Sequence, residues 1–162
     1  MARRLVAVAV SLTAVVFGLA AQPLAASAAG GGITVKTYFS GGQTVHPGDV
    51  IFVDVSVSTF DQGTTAPVRM KLWTTRGTVI GFADLGYPVH CWVRKAGGGR
   101  CVTDNPMGAG HGIELSVEVQ VGPHAAQGDP STRQTSLTVF ARSKPDHMWG
   151  NDTVDIPVAP AS

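Results

Sequence analysis

Hydrophobic and polar residues alternate along most of the chain between Ile33 and Val158. The clearest run, IELSVEVQV at 113–121, sets Ile113, Leu115, Val117, Val119 and Val121 against Glu114, Ser116, Glu118 and Gln120. GDVIFVDVSVS at 48–58 places Ile51, Val53, Val55 and Val57 on one side, and PVRMKLW at 67–73 alternates Val68, Met70 and Leu72 with Arg69 and Lys71. Successive side chains of an extended backbone point to opposite faces, so each run predicts a strand with one buried and one wet face. No stretch of this region carries the 3.6-residue period of an amphipathic helix.

Weaker strand signals lie at 33–39, 78–82, 88–93, 100–103, 136–142 and 152–158. HisProGlyAsp at 46–49, AsnProMetGlyAlaGly at 105–110 and GlyAspProSer at 128–131 separate them as turns. Seven to nine short strands punctuated in this way predict an all-β fold, an antiparallel Ig-like two-sheet β-sandwich. A closed barrel is the alternative, because alternation does not say whether sheet edges meet. Three connections are expected to be long loops at the sandwich ends: 59–65, 122–132 and 143–151.

The first 28 residues break the pattern. Arg3 and Arg4 form a positive start, residues 5–21 an apolar run, and Ala26-Ser27-Ala28 a small-residue cleavage site, which together predict a secretion signal peptide removed after Ala28. The remaining segment, 29–162, is long enough for one domain with its own core and too short for two ordinary ones. Cleavage removes two of the twelve basic residues and none of the eleven acidic ones, turning the formal charge from +1 to −1. That balance offers no attraction to nucleic acid. With no second apolar span, no membrane insertion is expected after cleavage, and the protein is expected to be secreted and extracellular.

Export changes the meaning of the two cysteines. In an oxidising compartment a lone pair becomes a disulfide, so Cys91 and Cys101 are expected to be joined across the nine residues between them. Ala96-Gly97-Gly98-Gly99 has the composition of a hairpin turn that needs positive φ. The spacing suits neither a CysxxCys zinc site nor a thioredoxin-type redox pair.

Four features occur in a fixed order: ThrValHisProGlyAsp leading into an alternating strand (44–58), the cysteine hairpin (91–101), a GlyAlaGly-led strand (108–121) and a closing AsnAsp strand (151–158). This order resembles the bacterial secreted Ig-like surface-repeat domains of unknown function, a conserved repeat type related to CARDB adhesion-related domains. The resemblance spans roughly 43–158 and departs at 59–63, where ThrPheAspGlnGly replaces an asparagine-glycine tail. It implies an immunoglobulin-like sandwich at the bacterial cell surface and no catalytic residues.

Candidate chemistry is sparse. Cys101, Met107 and His111 invite comparison with a cupredoxin copper site, but that site needs a free thiolate and places its histidine before its methionine. AspHisMetTrpGlyAsnAsp at 146–152 is the most site-like stretch, and His147, Trp149, Asp146 and Asp152 are the expected ligand-binding residues there, without the carboxylate spacing of a calcium loop. Trp73, Trp92 and Trp149 are candidates for a sugar-stacking surface. Parity turns Trp73 away from Met70 and Leu72, whereas Trp92 has apolar neighbours on both sides. No GlyxSerxGly elbow or HisGluxxHis helix is present. Asn151-Asp152-Thr153 is a formal glycosylation sequon.

The sequence therefore predicts a secreted, non-enzymatic domain with a binding, adhesion or envelope-associated structural role. Its expected partner is an extracellular protein or a cell-envelope polysaccharide, and no cofactor or metal is assigned. The rival readings are an exported copper- or calcium-binding protein and a small carbohydrate-binding module.

Overall fold

The structure is a computed structural model and describes residues 32–83 and 88–160. The expected signal peptide at 1–28 lies outside the described residues. Nine strands follow one another along the chain: β1 (Ile33–Tyr38), β2 (Val50–Thr59), β3 (Pro67–Thr75), β4 (Gly77–Ala83), β5 (Val89–Val93), β6 (Gly99–Pro106), β7 (Gly112–Val121), β8 (Gln134–Ser143) and β9 (Met148–Pro157). They form two antiparallel sheets, of order β1-β2-β7-β4 and β5-β6-β3-β8-β9. The fold is thus the predicted all-β two-sheet sandwich.

Valine dominates the space between the sheets. Val53, Val55 and Val57 of β2 and Val117 and Val119 of β7 face Met70 and Leu72 of β3 and Leu137 and Val139 of β8, all buried. β-branched side chains are stiff and stand upright on a pleated sheet, so this alternation fixes both the strand and its register. Shifting β7 by one residue would exchange Val117 for Glu118 in the core.

Two seams hold the sheets together at their sides. On one side β1 runs beside β9, with a parallel bridge between Gly32 and Trp149. There the Asp152 carboxylate accepts hydrogen bonds from the Thr37 backbone N–H (2.7 Å) and the Thr37 hydroxyl (2.9 Å), tying one sheet to the other. Gly150 is required at this seam, because a Cβ would lie 2.2 Å from the Ile33 carbonyl oxygen. On the other side the chain passes from β3 to β4 through Arg76 alone, in the left-handed region at φ 57°. The turn between β5 and β6 leans on β4, where the Val79 N–H donates to the Gly97 carbonyl at 2.8 Å. Gly97 has φ 77°, the conformation its sequence context predicts.

One expected loop is not a loop. Residues 143–151 were expected as a long connection, but β8 continues to Ser143 and β9 begins at Met148. Only a four-residue turn, 144–147, remains. Met148 and Gly150 face inward and Trp149 outward, so strand alternation persists through the segment. Gly150 has no side chain to reveal it. The 122–132 connection contains two short 3-10 turns, Pro123–Ala126 and Pro130–Thr132.

Candidate binding surface

The β5–β6 hairpin pairs Cys91 directly with Cys101, and their sulfurs are bonded at 2.01 Å. The disulfide lies on the inward side of the hairpin, with Cys101 buried in the core. Alternation then turns the neighbours of the two cysteines, Trp92 and Arg100, outward and opposite each other.

From this pair a row of residues crosses the outer face of the whole five-stranded sheet: Trp92, Arg100, Lys71, Phe140 and Asn151 are successive partners on β5, β6, β3, β8 and β9. The next row is His90, Val102, Arg69, Arg142 and Trp149. Trp73, on β3 beside the glycine turn, faces the same way and pairs with Thr138. All three tryptophans of the chain therefore share one face, exposed by 46% (Trp73), 47% (Trp92) and 42% (Trp149). None packs against the disulfide or between the sheets, the usual fate of a sandwich tryptophan. Four inter-strand spacings separate Trp92 from Trp149, a platform about 19 Å across.

The platform has a net positive charge, with Asp104 and Asp155 as the acidic residues on the same face. Arg69, Lys71, Arg100 and Arg142 lie among the aromatic rings, and Arg94 stands at the start of the β5–β6 turn. None of these five is in a salt bridge among the described residues, where the one pair is His90 with Asp104 at 3.0 Å on the rim. The Nε of Arg100 is buried and has no hydrogen-bond partner. Between Trp73 and the glycine turn lies a notch of about 240 Å³, lined by Lys71, Trp73, Arg94, Arg100 and the backbone of Gly97 and Gly98.

The outer face of the other sheet has a net negative charge, with Lys36 of β1 as its outward cation. Asp54 on β2 and Glu114 and Glu118 on β7 point outward there, beside exposed Tyr38 and Phe52. Near neutrality of the whole chain thus conceals two sheet faces of opposite sign.

The residues expected to form a ligand loop at 146–152 have separate positions and partners. Asp146 accepts hydrogen bonds from the Ser143 hydroxyl and from both the backbone N–H (2.9 Å) and the hydroxyl of Thr65, fastening the β8–β9 turn to the β2–β3 connection. The Ser143 hydroxyl first, and then Thr65, holds the Asp146 carboxyl below its ordinary value of 3.8. Asp152 is engaged with Thr37 at the sheet seam. His147 is exposed in the left-handed region at φ 53°. Trp149 alone of the four reaches the tryptophan face, where it stacks on Phe140 with ring centroids 6.3 Å apart and planes inclined by 26°.

Cys101, Met107 and His111 do not make a copper site: the sulfur of Cys101 is in the disulfide, and Met107 is buried while His111 is exposed. Among the described residues no three histidine, cysteine, aspartate or glutamate side chains gather as a metal site would need, and no helix is long and apolar enough to cross a membrane.

Sequence reasoning found the tryptophans but not their convergence, nor the cations among them. The outward parity of Arg69, Lys71 and Trp73 is written in 67–73, and that of Phe140 and Arg142 in 136–142. What joins them is the sheet order, which places β3 between β6 and β8.

No protein-family model matches the sequence, and no curated protein is significantly similar to it. Solved structures share its architecture. A cohesin module from a family 33 glycoside hydrolase of Clostridium perfringens superposes with a TM-score of 0.50 at 6% identity, over 78% of this chain and 98% of that one. AvmM, which catalyses macrocyclization in alchivemycin A biosynthesis, gives 0.47 at 10% identity over 81% and 90%. The sixth cohesin of scaffoldin B from Acetivibrio cellulolyticus, solved with a Cel5 dockerin, gives 0.43 at 13% identity over 80% and 93%. At 6% identity the likeness to the Clostridium perfringens cohesin module is one of fold alone: both are β-sandwiches.

Proposed function

We propose that the protein is a secreted, non-catalytic adhesion module that binds a cell-envelope polysaccharide through the outer face of its five-stranded sheet. The observation that carries this reading is the gathering of Trp73, Trp92 and Trp149 on one exposed face. Indole rings are amphipathic and rigid, and leaving nearly half of each of three indole residues exposed on one surface sacrifices burial that the core would otherwise gain. A flat array of such rings stacks on the apolar faces of sugar rings, and an open sheet face admits a long polymer, where a water-excluding cleft would admit only a small substrate.

Secretion and the domain limits belong to the same reading. Residues 1–28 serve as the export signal and 29–162 as the single domain, and the Cys91–Cys101 bond suits an oxidising destination. The resemblance to CARDB-related surface repeats points to the same adhesive role at the bacterial surface. Of the residues expected at 146–152, Trp149 contacts the ligand, whereas Asp146 and Asp152 hold the scaffold.

Retention on insoluble polysaccharides tests the proposal. The wild-type protein is retained by at least one envelope polysaccharide. Trp73→Ala/Trp92→Ala, which alters only exposed positions, loses at least about tenfold in affinity, about 1.4 kcal/mol, and keeps its circular-dichroism spectrum. Equal retention of wild type and double variant overturns the proposal.

A further inference from the structure

The tryptophans explain adhesion to sugar but leave the cations without a purpose. Five of them, Arg69, Lys71, Arg94, Arg100 and Arg142, stand on or beside one sheet face, and none has a carboxylate partner among the described residues. Like charges in adjoining register positions repel: Arg69 is paired directly with Arg142, and Lys71 with Arg100. A buried guanidinium nitrogen without an acceptor, as at Arg100 Nε, carries a further cost. The repulsion between the exposed cations is relieved by anions brought from outside.

Resting on the polysaccharide reading above, we infer that the ligand is an acidic polysaccharide with uronate rings in its backbone, one carboxylate of which enters the notch between Trp73 and the β5–β6 turn. The notch joins the two chemistries such a polymer demands. Trp73 supplies a wall for the pyranose ring, and Lys71, Arg94 and Arg100 converge on the same space. Arginine offers paired N–H donors that match the two oxygens of a carboxylate. Lys71 and Phe140 are then the next partners in the row, so that two cations, Arg100 and Lys71, stand between the rings of Trp92 and Phe140.

The presence of rings and cations together on one face selects the uronate over other anionic polymers. A polymer of alcohol phosphates without rings in its backbone would satisfy the cations and leave three indoles uncovered. A neutral glycan would cover the indoles and leave five cations unpaired. The acidic sheet face, with Asp54, Glu114 and Glu118, repels the same polymer, so binding is confined to one side of the sandwich.

Affinity electrophoresis through polygalacturonate, alginate and hyaluronate, each beside its carboxyl-reduced counterpart, tests the inference. Wild-type protein is retarded by at least one of the acidic polymers. Carboxyl reduction of that polymer weakens the affinity at least about tenfold, and so does raising salt to about 1 M, where the screening length falls to about 3 Å. Lys71→Gln/Arg94→Gln, which alters two exposed side chains, reproduces the loss with a melting temperature no lower than that of the wild type. Glu118→Gln on the opposite face leaves retardation unchanged. Retardation by the reduced polymers equal to that by the acidic ones, with loss in Trp73→Ala/Trp92→Ala, overturns the acidic ligand and leaves the polysaccharide reading standing. No retardation by any of the six polymers overturns the inference, and absence of retention on every insoluble polysaccharide overturns the broader reading as well.

Discussion

Trp149 stacks on Phe140 across the β8–β9 hairpin, with ring centroids 6.3 Å apart. The two are diagonal neighbours, since Trp149 pairs with Arg142 and Phe140 with Asn151. Aromatic pairs of this kind contribute roughly 0.5–1.5 kcal/mol beyond the area they bury. The stack therefore orients the indole and prepares one end of the platform before any ligand arrives.

His147 and Trp149, two residues apart, should accordingly separate in function. Trp149→Ala is expected to weaken polysaccharide binding several-fold and to cost about 1 kcal/mol of stability through loss of the stack. His147→Ala is expected to leave binding unchanged, because His147 belongs to the turn at 144–147 and not to the sheet face. Binding isotherms and melting curves of the two single variants check this; equal loss of binding in both would place the site at the turn.

The disulfide supports the hairpin that carries Trp92 and Arg100. Thiol alkylation of the native, unreduced protein should label no cysteine. Reduction should cost about 2.5–3 kcal/mol by loop-entropy arithmetic, leaving a cooperative but earlier unfolding transition. Two labels per native molecule, or no transition after reduction, would contradict this account.

In the core, Val117 and Glu118 are adjacent in sequence and opposite in consequence. Val117 is fully buried between the sheets, so Val117→Asp places an unpaired charge there and is expected to cost more than about 4 kcal/mol. Glu118 faces out, and Glu118→Val is expected to change stability by no more than about 0.5 kcal/mol. Chemical denaturation of both variants measures the difference.

Asp146 gives the β8–β9 turn a dependence on acid. Its carboxyl titrates below the ordinary 3.8 because Ser143 and Thr65 donate to the ionised form. A depressed folded value means the tether contributes fully above the unfolded value and is lost as pH falls through the folded one. Hydrogen exchange at the Thr65 amide should therefore be slow above about pH 4, accelerate at lower pH relative to neighbouring amides, and be fast throughout in Asp146→Ala. Acceleration only above pH 4 would contradict the assignment.

All nine strands were legible in the sequence because each buries one face in a single sandwich, and period-two alternation records that burial directly. The clasp was legible from the expected compartment and the spacing of the two cysteines. Residues 143–151 misled as a loop because polar Asp146 and His147 and the side-chain-free Gly150 mask a strand that begins at Met148. The platform was illegible for another reason. Trp92 has Cys91 and Val93 beside it, and only pairing with Arg100 shows which side it takes. The company of Trp73 and Trp149 depends on strands more than sixty residues apart meeting in one sheet. Alternation fixes faces, whereas sheet order is set by long-range packing.

Titration with oligosaccharides of a retained polysaccharide, followed through the three indole N–H resonances and the backbone amides, shows whether the tryptophan-bearing sheet face is the binding surface. Shifts at Trp73, Trp92 and Trp149, with the amides of Lys71, Arg100 and Phe140, and none at Phe52, Glu114 or Glu118, are the predicted result. Shifts centred on Phe52 and Glu118, or on the turn around His147 with the indoles of Trp73 and Trp92 unmoved, would contradict it.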